Sequence, residues 1–248
     1  MRARAAALAS AVLAGGCSLQ ADEPPPAPAE PRPPELVDLS SDVTRAERVR
    51  LPRLARDSAA RRAKRLTVRV RNLSCEGLST GSGFALSPGL LVTNRHVLAG
   101  AEDLEVSTWD GRTFEVSSAT VGALGDVGYV TVAGRLPLSG SFGRSAHAGD
   151  LVTAVGYPRG GPLTLSEGVV VDRVDGADFG VPGTIVRVSA RVRPGNSGGP
   201  LLGRRGRVVG IVYAREVGTG FGLAIPVDTM RRLARAGGVE SVPACGAE

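Results

Sequence analysis

The chain has 248 residues, 42% of them hydrophobic, which is enough for one or two domains with a full core. No run of eighteen apolar residues occurs, so no conventional transmembrane helix is expected. The excess of basic residues is local: residues 45–65 hold nine basic and two acidic side chains, whereas from Leu66 onward 18 arginines stand against 16 acidic residues. No aromatic or groove-reading element accompanies the basic run, which argues against nucleic acid as a partner.

The chain opens with Arg2 and Arg4, an apolar stretch from Ala5 to Gly16, and the sequence LAGGC ending at Cys17. This pattern reads as an export signal, residues 1–17, and its end resembles a bacterial lipobox in which Cys17 becomes the lipidated first residue. The alternative is an ordinary cleaved signal peptide that discards the cysteine. Either way the mature protein is expected outside the cytoplasm, held at the membrane by lipid or secreted. Residues 18–65 are expected to be a largely disordered linker. It begins with the proline-dense ADEPPPAPAEPRPPE of Ala21–Glu35, a stiff solvated spacer. Residues 36–65 are arginine-rich, with a weak helical rhythm at Val43, Ala46 and Val49 broken by Pro52, a composition suited to anionic headgroups rather than to a fixed helix.

From Leu66 the texture changes, and residues 66–248 read as the folded domain. Short β-rich runs alternate with Gly, Pro, Asp and Ser clusters. The first set of expected strands covers 66–70, 82–86, 90–94, 104–108, 113–121 and 127–132. The second covers 151–157, 163–174, 184–190, 199–202, 207–214 and 221–225. A loop at 135–149 divides them. About a dozen short strands at this spacing predict an all-β fold. One helix follows, with Asp228 as its expected cap, Met230 and Leu233 on its buried face and Gly237 as its stop.

Of three cysteines, Cys17 is lipidated or lost, which leaves Cys75 and Cys245 as a pair near the two ends of the domain. An oxidising compartment favours a bridge over two free thiols. Closing a loop of about 170 residues would contribute roughly 5 kcal/mol by chain entropy. Two isolated histidines and two distal cysteines do not make a metal site, and no cofactor is expected.

The chemistry-bearing residues come in the order His96 (LVTNRHVLAG), Asp126 (LGDVGYVTV) and Ser197 (RVRPGNSGGPLLG), and His147 falls in the dividing loop. The segments GSGF, TNRHV, GDVGYV, VGYP, PGNSGGPLL, GIV and GFGLAIP, in this order, resemble the chymotrypsin-fold (trypsin-like) serine peptidases. The similarity is greatest to bacterial HtrA-type peptidases and, given the cysteine pair, to the actinobacterial membrane-anchored trypsin-like peptidases; no PDZ domain follows. The resemblance implies two six-stranded antiparallel β-barrels with a short C-terminal helix. It also implies a serine endopeptidase that acts through an acyl-enzyme on protein or peptide substrates.

In that scheme Ser197 is the nucleophile, His96 its general base and then acid, and Asp126 the residue that fixes the imidazole. The backbone N–H groups of Gly195 and Ser197 would form the oxyanion hole. Gly128 replaces the family's usual alanine and is expected to loosen local packing. Asn196 replaces the aspartate that pairs with a freshly cleaved N-terminus in digestive enzymes, so that activation route is not expected. Arg191, six residues before the serine, lies near the base of the family's specificity pocket. Alternation along RVRPG predicts that Val192 points inward and Arg191 outward. The strand Gly210–Ala214, with Tyr213 and Ala214 at its end, is expected to pair with substrate backbone. A non-catalytic or latent peptide-binding module on the same fold is the competing expectation.

Overall fold

The computed structural model describes residues 53–243 and Cys245. The signal-like residues 1–17 and the linker up to residue 52 lie outside the described residues. The chain begins with a helix where none was expected, α1 (Arg53–Leu66). It starts directly after Pro52, a residue tolerated at a helix start. Its interior holds no glycine or proline, and Ala63 and Leu66 are fully buried three residues apart, as one face of a helix requires. The linker reading therefore fails for residues 53–65. Their composition is that of a solvated segment, but a narrow alanine and leucine stripe has a core to pack against.

Eight strands form the first sheet: β1 (Thr67–Ser74), β2 (Gly77–Ser87), β3 (Leu90–Thr93), β4 (Ala101–Ser107), β5 (Thr113–Phe114), β6 (Val116–Gly122), β7 (Gly128–Val132) and β14 (Val239–Ser241). Their order is β14-β6-β7-β3-β2-β1-β4-β5. The six others are β8 (Leu151–Gly156), β9 (Thr164–Asp175), β10 (Thr184–Val188), β11 (Pro200–Gly203), β12 (Val208–Arg215) and β13 (Gly222–Pro226), which close a barrel in the order β10-β13-β12-β11-β8-β9. This is the chymotrypsin-like fold. The second barrel matches the expected six strands. The first departs from it, because the run expected as one strand over 113–121 bends at Glu115. Its first two residues pair with β4 and the remainder with β7 and β14, so the sheet ends at β5 and β14 and does not close in a continuous ladder.

The apolar runs are explained by burial on both faces. On β11, Leu201 points into the second barrel and Leu202 into a layer between the barrels. On β13, Ala224 points in, and Leu223 and Ile225 point out to the same layer. Phe84 and Val92 of the first sheet complete that layer. The C-terminal helix α3 (Val227–Ala236) buries Met230 against it and Leu233 beside Gly125, and stops at Gly237, as the sequence predicts. Asp228 does not cap it: the helix has no side-chain cap, and Asp228 instead receives Arg173 Nη2 at 2.7 Å. A last short strand, β14, adds to β6. A disulfide joins Cys75 to Cys245 and ties the β1–β2 turn to the chain after β14.

Candidate active site

His96 stands on α2 (Arg95–Leu98), one turn that follows β3. Asp126, in the loop between β6 and β7, holds this turn twice. Its Oδ1 accepts the His96 backbone N–H at 2.8 Å, and its Oδ2 lies 2.8 Å from His96 Nδ1. Asn94 Nδ2 adds a third tie by donating to the Asp126 carbonyl at 2.8 Å. With Nδ1–H engaged by a carboxylate, the basic lone pair of the imidazole is on Nε2. The carboxylate side is sheltered, with Asp126 14% exposed, while His96 is 48% exposed toward the cleft.

Close packing explains why α2 and β7 fit. A Cβ on Gly128 would lie 2.7 Å from Leu98 Cδ1 and 3.1 Å from the Asn94 carbonyl. The expectation of looser packing at Gly128 is thus reversed: here the glycine permits contact that alanine would prevent.

The serine turn between β10 and β11 is shaped by glycine in the left-handed region, Gly195 at φ 94° and Gly198 at φ 85°. A side chain on Gly195 would overlap the Tyr157 carbonyl, and one on Gly198 the Ser82 carbonyl and Thr93 Oγ1. The Pro194 carbonyl accepts the Arg159 N–H at 2.7 Å, and Arg159 is the one non-glycine residue with positive φ among the described residues. In a trans peptide the carbonyl and the following N–H point opposite ways. The Gly195 N–H is therefore turned away from Arg159. Neither it nor the Ser197 N–H has an acceptor among the described residues.

Ser82 of β2, fully buried, is the residue that sequence reasoning missed. Its Oγ donates to the Gly195 carbonyl at 2.6 Å and accepts the Tyr157 N–H at 2.9 Å. Its backbone N–H donates to the Ser197 carbonyl at 2.8 Å, and its carbonyl accepts Thr93 Oγ1 at 2.7 Å. One serine of the first sheet thereby pins both ends of the serine turn of the second barrel. The GSGF segment marks its place in sequence, but a serine among glycines gives no sign of a partner 113 residues away.

The Ser197 hydroxyl donates to the Tyr213 carbonyl at 3.1 Å, and no hydrogen bond joins it to His96 among the described residues. Tyr213 occupies a bulge on β12, the extra residue where pairing with β13 shifts between Val212 and Ala214. Its ring meets the His96 imidazole edge to face at 6.0 Å, and its hydroxyl donates to the Phe179 carbonyl at 2.7 Å. Burial, with the nearby Asp126 carboxylate, raises its phenol above the usual tyrosine range. Beyond it, Phe179, Tyr213, Ala214, Val217 and Leu223 line an open groove of about 400 Å³ rimmed by Arg215 and Glu216. Arg187 holds Glu216 at 2.7 Å, and Thr219 donates to the same carboxylate. Together with burial, which opposes them, these contacts leave Glu216 below the ordinary carboxylate range.

Arg191 is exposed and Val192 is buried in the second barrel, so the guanidinium points outward as the alternation predicts. Asn196 is buried, its Oδ1 without a hydrogen-bond partner among the described residues. His147 is exposed and contacts Arg144 rather than the site. No group of three metal-ligating side chains occurs among the described residues.

A β-fold of one closed six-stranded barrel beside an eight-stranded half-barrel, which brings a carboxylate-oriented histidine and a glycine-framed serine turn to one cleft, defines the chymotrypsin-like serine peptidase class. The family model described as a trypsin-like peptidase domain matches residues 81–211, and the chain belongs to that family. It is 36% identical over 183 residues to a putative serine protease HhoA from Synechocystis, covering 68% of this chain and 46% of that protein. It is 31% identical over 188 residues to serine protease Rv3671c of Mycobacterium tuberculosis, covering 71% and 47%. The crystal structure of the active form of the Rv3671c protease superposes with a TM-score of 0.67 at 25% identity, over 79% of this chain and 90% of that one. The HtrA-type protease AlgW with a tripeptide gives 0.65 at 26% identity, over 73% and 62%. The chain spans about half the length, or less, of the curated relatives it matches.

Proposed function

We propose that this protein is an exported serine endopeptidase that cleaves proteins or peptides through His96, Asp126 and Ser197, with Cys17 as its lipid anchor. The observation that carries the reading is the paired contact of Asp126 with His96 N and Nδ1, which leaves Nε2 as a base beside the serine turn. In the first step Ser197 Oγ attacks the scissile carbonyl carbon while its proton passes to His96 Nε2. The resulting oxyanion is received by the N–H groups of Gly195 and Ser197. The C–N bond then breaks, His96 returns the proton to the leaving amine, and an ester to Ser197 remains. Water attacks that ester with His96 again as base, which frees the acid product and the serine. Export and the anchor rest on the sequence of residues 1–17, and the periplasmic naming of DegP-like relatives supports the compartment.

The Ser197 hydrogen bond to the Tyr213 carbonyl favours a second reading, a resting state released by substrate. A peptide added along β12 would offer its own N–H to that carbonyl and free the hydroxyl for His96. Labelling with a fluorophosphonate tests both. Rapid labelling of the parent chain and none of Ser197→Ala establishes the nucleophile. Labelling that appears only with added peptide establishes the latent state. No labelling of a folded chain under either condition refutes the peptidase reading in favour of a binding module.

A further inference from the structure

Three exposed cations project from α1 (Arg61, Lys64 and Arg65) and three from the β11–β12 turn (Arg204, Arg205 and Arg207). The two segments are in contact. Arg62 Nε donates to the Gly206 carbonyl at 3.3 Å, and its Nη2 donates to Ser141 Oγ at 3.3 Å. None of the six pairs with a carboxylate among the described side chains; the ion pairs found there join other residues. Asp57 is the single acidic residue in either segment. Arg65 uses one nitrogen on the Pro137 carbonyl at 3.0 Å, which fixes the side chain without neutralising it.

We infer that this face of the peptidase domain docks on an anionic lipid bilayer. Charge complementarity is the first reason: each Lys or Arg held near an anionic surface strengthens binding about fivefold, and six lie on one face. The second is where the chain goes. Helix α1 is the first described element, and in sequence 35 residues separate it from Cys17, so a lipid there would tether the domain by the helix that carries half of these cations. Neither segment carries an aromatic residue, which nucleic acid would need for stacking. The geometry also suits the proposed activity. Ser197 precedes β11 and the basic turn follows it, so a strand about 13 Å long lies between them. The inference rests on the exported, membrane-proximal reading above.

The test uses the full chain with Cys17→Ser, which removes any lipid. Co-sedimentation is measured with vesicles of phosphatidylcholine alone and of phosphatidylcholine with an equal share of phosphatidylglycerol. Binding is expected only to the anionic vesicles, and it should weaken steeply with salt. Arg204→Ala, Arg205→Ala and Arg207→Ala together should weaken it about a hundredfold. Arg61→Ala, Lys64→Ala and Arg65→Ala should do the same, and this set decides the matter if the first does not fold. Parental affinity in both triple variants overturns the proposal, because the binding would then belong to the residues before α1. So does tighter binding to a DNA duplex than to anionic vesicles. Fluorophosphonate labelling of the same samples separates the two claims. A chain that labels but ignores anionic vesicles refutes the docking face alone. A chain that binds them but never labels supports the face and refutes the peptidase reading.

Discussion

Replacing Ser82 with alanine removes one oxygen that serves two backbone groups of the second barrel. The Gly195 carbonyl loses its donor at 2.6 Å, and the Tyr157 N–H loses its acceptor at 2.9 Å. Both bonds are buried, and the space is closed to repair: a Cβ on Gly156 would lie 2.8 Å from Ser82 Oγ. Each buried polar group left unpaired costs about 1–3 kcal/mol. A total loss of about 2–6 kcal/mol is expected, which for a domain of this size lowers Tm by roughly 4–24 °C. The Gly195 peptide keeps its second restraint, the Pro194 carbonyl on Arg159 N–H. The proposed oxyanion donor is therefore loosened rather than lost, and kcat should fall about 10–100-fold, below the 10²–10³-fold that follows removal of such a donor. KM should change little, because β12 is untouched. Peptide hydrolysis and thermal melts check this, with Ser79→Ala, an exposed serine of the same strand, as control. A Ser82→Ala protein with parental Tm and kcat would refute the idea that the first sheet holds the oxyanion turn through this side chain.

Gly128→Ala should destabilise by about 1–3 kcal/mol in chemical denaturation, because its methyl group would meet Leu98 and the Asn94 carbonyl. Removing the bridge with Cys75→Ser and Cys245→Ser together should lower unfolding free energy by up to about 5 kcal/mol, read by denaturant titration under oxidising conditions. Glu216 titrates below the ordinary glutamate value of 4.5, so its contribution is complete above that value and is lost as pH falls through the lowered one. Glu216→Gln should therefore lower Tm near neutral pH and show a smaller further drop on acidification, measured by melts between about pH 6 and pH 3. Val217→Asp, at an 88% exposed position on the groove wall, should reduce kcat/KM for peptides with apolar side chains before the scissile bond and leave labelling by a small fluorophosphonate unchanged.

What could be read from the sequence was whatever repeats locally or sits in a motif of fixed order. The strands of the second barrel fall within a residue or two of the expected runs, since Val and Leu alternate there between barrel interior and interbarrel layer. Arg191 and Val192 followed from period two alone. What escaped depends on distant partners. The α1 stripe of Ala63 and Leu66 means little until the interbarrel layer exists to receive it. The three residues of β14 form a strand only because β6 offers a free edge. The bend at Glu115 and the bulge at Tyr213 are single-residue slips, which no periodicity reports.

Asp126 shows why stability and chemistry are hard to separate in this cleft. A one-turn helix such as α2 has almost no internal hydrogen bonding to sustain it, and Asn94 makes no side-chain cap. The Asp126 carboxylate supplies that cap from a distant loop, through Oδ1 on the His96 N–H, and with its other oxygen it sets the imidazole. In the proposed mechanism one anion thus forms the turn that would carry the base and selects the tautomer that would make it a base. An amide in its place keeps an oxygen for one of these duties but not for both. Asp126→Asn should accordingly lower kcat about 10³–10⁴-fold while the fold survives, whereas His96→Ala removes the base yet leaves the cap on its backbone N–H in place. Comparable activity losses with unequal melting temperatures, an Asp126→Ala variant lower than both the asparagine and the His96→Ala variants, would mark the double duty; equal melting temperatures would confine Asp126 to the imidazole.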